Sequence, residues 1–287
     1  MAVAQLSISN QGFARADDVV DFGLEHGCRA VEYTFRRTAV TWSEVEKELP
    51  DVEHLLARGF TLRYHLGFFG LTLAHPDAGH ARRALDVHAR CLRAVADLGG
   101  DMVTLHLGLG LDDPNAVDSA AAAADLRELA EHGDRAGVGV CLENLRRGRL
   151  NDPDAFQSLL DAAGVWATLD VGHALAREKA RGEPGFALDY IRRCGPRIRG
   201  AHVYEIEKVP PEGGRAYHAA PDDLTLIRPV LDALRFDTPC DWWLIELMNS
   251  HEISRTLRLL REYQAAAASS ADAFPVRSET RDNEERP

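Results

Sequence analysis

Short apolar runs of strand length alternate with longer segments whose apolar residues recur at helical spacing, and the alternation occupies most of the chain. Eight runs read as strands: VAQLSI (3–8), RAVEYTF (29–35), TLRYHL (61–66), MVTLHL (102–107), VGVCLEN (138–144), VWATLD (165–170), RIRGAHVY (197–204) and WWLIEL (242–247). Between them lie segments of helical period, among them 17–27, 80–100, 121–137 and 222–235. Gly27, Gly59, Gly99 and Gly137 stand where such helices would end, the position at which glycine closes a last turn. Asp-Asp-Pro at 112–114 and Asn-Asp-Pro at 151–153 mark turns or helix entries. Strands separated by helices pair in parallel, and eight such units predict an α/β fold of the closed (β/α)8 type, whose usual length is roughly 250 residues. A doubly wound open sheet is the alternative, but no Gly-rich dinucleotide fingerprint follows the first strand. Beyond Gln264 the apolar period stops, so the chain divides into one catalytic barrel domain, 1–264, and a tail, 265–287, expected to be disordered.

The polar residues that interrupt these strands share one topological position. His65 and His106 fall near the ends of their strands, Asp170 closes VWATLD, and Glu143, His202 and Glu246 fall near the ends of theirs. In a parallel barrel the C-terminal strand ends meet at one face, where active sites are built, so these six side chains would converge. Singly, each has an ordinary explanation, as a hydrogen-bonded histidine or an acidic cap of the next helix. Together they favour a metal site, because a carboxylate such as Asp170 is costly to bury unless it is paired or bound to a cation.

Composition narrows the function classes. The net charge of −12, from 45 acidic and 33 basic residues, opposes broad attraction to nucleic acid or an anionic membrane. No apolar stretch approaches the roughly 20 residues that cross a bilayer, and the first residues lack a signal-peptide pattern, so a soluble, cytoplasmic protein is expected. Five cysteines, Cys28, Cys91, Cys141, Cys194 and Cys240, form no CxxC pair and sit in or beside apolar runs, which predicts buried thiols.

The ordered set YHLGFFGLTLAHPD, LGGDMVTLHLG, CLEN, LDVGHA, GAHVYE and LIEL resembles the xylose isomerase-like TIM barrels, a family that includes sugar epimerases, inosose-processing enzymes and type IV apurinic/apyrimidinic endonucleases. The resemblance covers most of residues 3–262. It implies a principal metal held by Glu143, Asp170, His202 and Glu246. His65 and His106 match positions that, with the shared glutamate, hold a further metal in the nuclease branch, and His173 and His218 match positions of its third metal. There the sequence departs from the pattern: Ala216 stands where the nucleases have an aspartate, and AAPDDL replaces a Gly-rich stretch. His173 and His218 are therefore expected to bind substrate instead, as His65 and His106 would if no second metal is present. Three carboxylates with one imidazole suit Mn, Co, Mg or Zn, and the nearby His65 and His106 shift the preference towards Zn.

The activity this implies is metal-dependent isomerisation or epimerisation of a sugar, a sugar phosphate or a related polyhydroxy carbonyl compound through an enediolate, with Glu143 and Glu246 moving the proton. A zinc-dependent phosphodiesterase acting on abasic DNA is the alternative, as is a lyase or dehydratase sharing the enolate chemistry. Arg146, Arg147, Arg149, Arg177, Lys179 and Arg181 follow active-face strands and could hold an anionic substituent, Arg147 foremost, although each could equally be a solvated charge. Phe68, Phe69 and Trp42 could wall a sugar's apolar face or pack in the core. The resemblance alone implies a homo-oligomer, a dimer or tetramer.

Overall fold

In the computed structural model, which describes residues 3–272, the eight expected strands are all present: β1 (Gln5–Ser9), β2 (Ala30–Thr34), β3 (Thr61–Leu66), β4 (Met102–Leu105), β5 (Gly139–Glu143), β6 (Trp166–Asp170), β7 (Ile198–Val203) and, after the short strands β8 (Ile206–Lys208) and β9 (Tyr217–Ala219), β10 (Trp242–Ile245). The eight close into a parallel barrel in the order β1-β10-β7-β6-β5-β4-β3-β2, while β8 and β9 form an antiparallel hairpin that the strand pattern did not predict. Around the barrel lie α1 (Ala16–Glu25), α2 (Trp42–Glu46), α3 (Leu49–Ala57), α4 (Ala78–Asp97), α5 (Ser119–Ala136), α6 (Pro153–Ala163), α7 (Val171–Arg181), α8 (Phe186–Cys194), α9 (Arg228–Asp237) and α10 (Ser250–Asp272).

Helix boundaries follow local chemistry. Gly137 caps α5 in the left-handed region at φ 74°, which an L side chain would resist. The helix expected over 222–235 begins only at Arg228, where Pro229 occupies the first turn and its missing N–H has no helical partner to lose. The last helix runs past Gln264 to Asp272, so residues 265–272, placed in the tail by composition, continue the helix. Alanine has the highest helix propensity, and this Ala-rich stretch extends the helix without an apolar stripe. The rest of the expected tail, 273–287, lies outside the described residues.

Strand residues alternate between two environments. Val31, Tyr33, Tyr64, Leu66, Val103, Leu105, Leu142, Leu169, Val203 and Ile245 are buried in the apolar core, on the face opposite the barrel axis. The alternate positions turn towards the axis and are mostly polar: Ser9 pairs in register with Glu32, Glu32 with Arg63, Thr34 with His65, His65 with Thr104, Glu143 with Thr168, and Asp170 with His202. Thr104 and Thr168 hydrogen-bond at 2.8 Å. At the N-terminal end Arg63 lies over the Trp242 ring at 4.9 Å and donates to Asp241 at 2.8 Å. No helix among the described residues is long and apolar enough to cross a membrane, and all five cysteines are free and buried.

Candidate metal centre

The six strand-end residues converge. His65, Glu143, Asp170, His202 and Glu246 are each at most 3% exposed, and His106 is 8% exposed. Glu143 stands at the middle: its Oε2 lies 2.9 Å from His106 Nε2, 3.3 Å from His65 Nε2 and 3.2 Å from His202 Nδ1. His202 Nδ1 is also 3.3 Å from Glu246 Oε2. Glu143, Asp170, His202 and Glu246 each offer one donor atom within a sphere where all lie within 4.8 Å of one another, and so do His65, His106 and Glu143.

The electrostatics fit a cation. Burial alone would raise the Glu143 carboxyl, but the imidazoles of His106 and His202 outweigh it and hold the group well below the usual carboxylate range. Glu246 behaves alike: burial raises it, and His218 and His202 overcome that. At Asp170 the balance reverses: burial and the charges of Glu143 and Glu246 push it well above its ordinary value, and the imidazoles of His218 and His202 do not offset them. His202 is raised by Glu143, Glu32 and Glu246 against the effect of burial, whereas burial dominates at His65 and lowers it. Glu143 Oε2, His202 Nδ1 and Glu246 Oε2 are buried without a hydrogen-bond partner. Such orphaned atoms are expensive, and three of them at one place form a donor set suited to a divalent ion.

Neighbouring groups fix these side chains. Asp170 is both a helix cap and a member of the cluster: Oδ1 accepts from the His173 N–H at the start of α7 at 2.6 Å, and Oδ2 accepts from Tyr204 Oη at 3.1 Å. Asn144 clamps the Asp170 backbone, accepting from its N–H at 2.7 Å and donating to its carbonyl at 3.1 Å. Arg37 donates to Glu246 Oε1 at 3.1 Å. Glu32, 2% exposed, accepts from His202 Nε2 and from Trp242 Nε1, both at 2.9 Å. The sequence reading missed Glu32, Arg37, Asn144 and Tyr204 as site residues. Glu32 alone carried a signal of the kind that exposed Asp170, a carboxylate inside an apolar strand.

A cleft of about 790 Å³ opens onto the centre, and its lining includes Glu143, His106, Glu246, His173 and His218. His173 donates from Nδ1 to the Asn144 carbonyl at 3.0 Å, and His218 from Nδ1 to the Glu246 carbonyl at 2.8 Å, which leaves both Nε2 atoms as acceptors. Between them comes Glu207 of β8, paired in register with His218 of β9 and 3.8 Å from His173 Nε2. His173, Glu207 and His218 form a further cluster of possible ion-binding atoms, and Arg146 Nε pairs with Glu207. The carboxylate that Ala216 lacks is thus supplied across the hairpin.

Of the other residues singled out from sequence, Arg147, Arg146 and Phe69 line the cleft. Arg149 bonds Ser119, Arg181 pairs with Glu183, and Lys179 is exposed, so these three serve the surface rather than the cleft. Arg177 is not among the cleft's lining residues. Phe68 is buried against His88 at 5.4 Å and Trp42 packs on the core, which assigns both to packing.

Comparison with known proteins agrees with this architecture. A model of the xylose isomerase-like TIM barrel family matches residues 20–263. An uncharacterized protein of Methanocaldococcus jannaschii is 32% identical over 165 residues, which span 58% of this chain and 67% of that protein. Among solved structures, a D-tagatose 3-epimerase-like protein superposes with a TM-score of 0.70 at 16% identity, covering 93% of this chain and 99% of its own. An L-ribulose 3-epimerase gives 0.70 at 16% identity, covering 96% of this chain and 100% of its own. A 3-keto-D-glucoside 4-epimerase from E. coli gives 0.68 at 16%, covering 90% and 99% respectively. At these identities the structural likeness is one of fold.

Proposed function

From the premise that the chain belongs to the xylose isomerase-like TIM barrel family, we propose that it is a divalent-metal-dependent isomerase or epimerase acting on a sugar, a sugar phosphate or a related polyhydroxy carbonyl compound. The observation that carries this is the convergence of three partnerless buried atoms, Glu143 Oε2, His202 Nδ1 and Glu246 Oε2, beside Asp170. Those four residues would hold the ion, with Mn, Zn, Co or Mg suited to the donor set. Bound there, a divalent ion polarises a substrate carbonyl and acidifies the neighbouring C–H. The epimerase neighbours suggest the reaction class by analogy of fold, and the donor set of the site is what supports it here.

The chain's own residues supply the proton chemistry. Glu143 ends β5 and Glu246 follows β10, three strands away around the barrel, so a substrate carbon lying between them presents one face to each. Both carboxyls are held ionised, and each can accept a proton that the other or the solvent returns. Arg37 occupies Glu246 Oε1, which leaves Oε2 for the site. His106, on the cleft lining, would bind a substrate oxygen, or with the fully buried His65 hold a second ion, while His173 and His218 line the cleft. Arg147, with Arg146 and Arg215 also on the lining, would receive an anionic substituent.

The test is conversion of a panel of ketoses and ketose phosphates in deuterated water. One deuteron is expected at the epimerised carbon, with incorporation abolished by Glu246→Gln and by removal of metal with a chelator. Deuterium incorporation that survives in the Glu246→Gln variant would exclude Glu246 as the base, and turnover without any deuterium would exclude a two-base transfer through groups that exchange with solvent. A dehydrated product would instead select the lyase outcome of the same chemistry.

One observation favours a second reading, phosphodiester hydrolysis on abasic DNA. Glu207 completes a third cluster with His173 and His218 where the sequence alone showed only Ala216. Against it stand the net charge of −12 and the Arg146 side chain already paired with Glu207. Elemental analysis separates the two: three zinc ions per chain with cleavage of abasic-site DNA support hydrolysis, and one ion without cleavage supports the isomerase.

A further inference from the structure

Glu32 lies outside the six strand-end residues, one layer deeper on β2, and its buried carboxylate bridges two N–H groups, one from β7 and one from β10. Trp242 Nε1 can only donate, so it consumes Oε2. Oε1 accepts from His202 Nε2, which therefore carries a ring proton, so the lone pair that a neutral ring can offer a cation is the one on Nδ1. Nδ1 lies 3.2 Å from Glu143 Oε2 and 3.3 Å from Glu246 Oε2. Glu32 falls within reach of His65 and His202 as a cluster of donor atoms. Both of its oxygens are already taken by N–H donors, which makes it a support of the centre rather than a ligand.

We propose that Glu32 is a positioning residue that fixes the tautomer and ring orientation of His202 so that Nδ1 is presented to a divalent ion. This rests on the metal reading of the site given above. Carboxylates that orient ligating histidines in this way commonly govern metal affinity by about 10- to 100-fold. The arrangement makes a specific demand on chemistry. A carboxylate accepts at both oxygens, whereas the amide in Glu32→Gln has one acceptor and must face either His202 or Trp242 with an NH2 group. If the indole wins the amide oxygen, the NH2 donates to His202 Nε2, the ring proton moves to Nδ1, and the lone pair is lost from the site.

Zinc affinity is measured by competition with a chromophoric chelator for the wild type, Glu32→Gln and the double variant Glu32→Gln/Trp242→Phe. Glu32→Gln is expected to bind zinc about 10- to 100-fold more weakly. The double variant removes the competing indole donor, frees the amide oxygen for His202, and is expected to recover at least tenfold of that loss despite carrying an additional core substitution. A lesion that was merely structural would worsen with the second change. Wild-type affinity in Glu32→Gln, or no recovery in the double variant, would overturn the proposal. Independently of any variant, long-range 1H–15N spectra of the zinc-loaded, histidine-labelled wild type are expected to place the His202 proton on Nε2; a proton on Nδ1 would overturn it. Absence of zinc binding by the wild type would instead defeat the metal reading itself, which keeps the two failures apart.

Discussion

Replacing Asn144 by alanine should cost more than any other change of two or three atoms at the rim. Its side chain bonds both the N–H and the carbonyl of Asp170, at 2.7 and 3.1 Å, and both residues are fully buried. Alanine leaves the Asp170 N–H without a partner in a place sealed from water, while the carbonyl, which opens α7, loses the amide and keeps its helical bond. The orphaned N–H costs about 1–3 kcal/mol and the bond lost at the carbonyl about 0.5–1.5 kcal/mol, so the loss is about 1.5–4.5 kcal/mol, a large share of the 5–15 kcal/mol typical of a whole domain. With a urea m value of about 3 kcal/mol/M, the upper end for small proteins, the unfolding midpoint should fall by about 0.5–1.5 M. Tryptophan fluorescence reports the transition, and the measurement is made in chelator so that bound metal does not enter. Asn144→Asp keeps the acceptor for the Asp170 N–H and loses only the donor, and it should fall between wild type and alanine. A midpoint within about 0.3 M of wild type for Asn144→Ala, at unchanged m, would show that water satisfies these groups and that the clamp is dispensable.

His88, buried on α4 and donating to the Ala84 carbonyl at 2.8 Å, is lowered by burial to about 4. Its folded value lies below its unfolded one, so the stability it contributes is complete above pH 6.5 and is lost as pH falls from there towards 4, by about 3 kcal/mol in all. Urea titrations of wild type and His88→Gln at pH 7 and pH 4.5 should therefore diverge on acidification, with wild type losing more; parallel losses would refute the assignment. At Gly172, in the first turn of α7, an added Cβ would run into the Tyr204 ring, whose hydroxyl donates to Asp170. Gly172→Ala should cost about 1–3 kcal/mol and lower the melting temperature, and an unchanged melt would mean that Tyr204 moves freely.

The barrel and six of its site residues were legible because two periodicities coincide. Apolar residues on the outer strand faces gave the strands, and the polar residues that broke the pattern, such as His65 and Asp170, fell at the ends that topology brings together. Even the competing explanation of Asp170 was legible in part: it does cap a helix, with one oxygen, while the other faces Tyr204 and the cluster. Glu32 escaped because attention to strand ends passes over a carboxylate in mid-strand, although VEYT carries it between apolar neighbours. Glu207 could not be found from spacing along the chain. It faces His218 across a hairpin whose loop, PPEGG, sets the register through contacts that no sequence period encodes. Arg37 reaches Glu246 from a loop after β2 for the same reason.

The axis of this barrel is occupied by side chains such as Glu32, Thr34, His65, Thr104 and Thr168, where many barrels of this topology stack branched aliphatics. Cohesion therefore resides mainly in the outer shell, between strand and helix, and the interior is knit by single hydrogen bonds such as that of Thr104 to Thr168. A new specificity drawn there must exchange polar residues in matched sets, because a buried group left without its partner is costly.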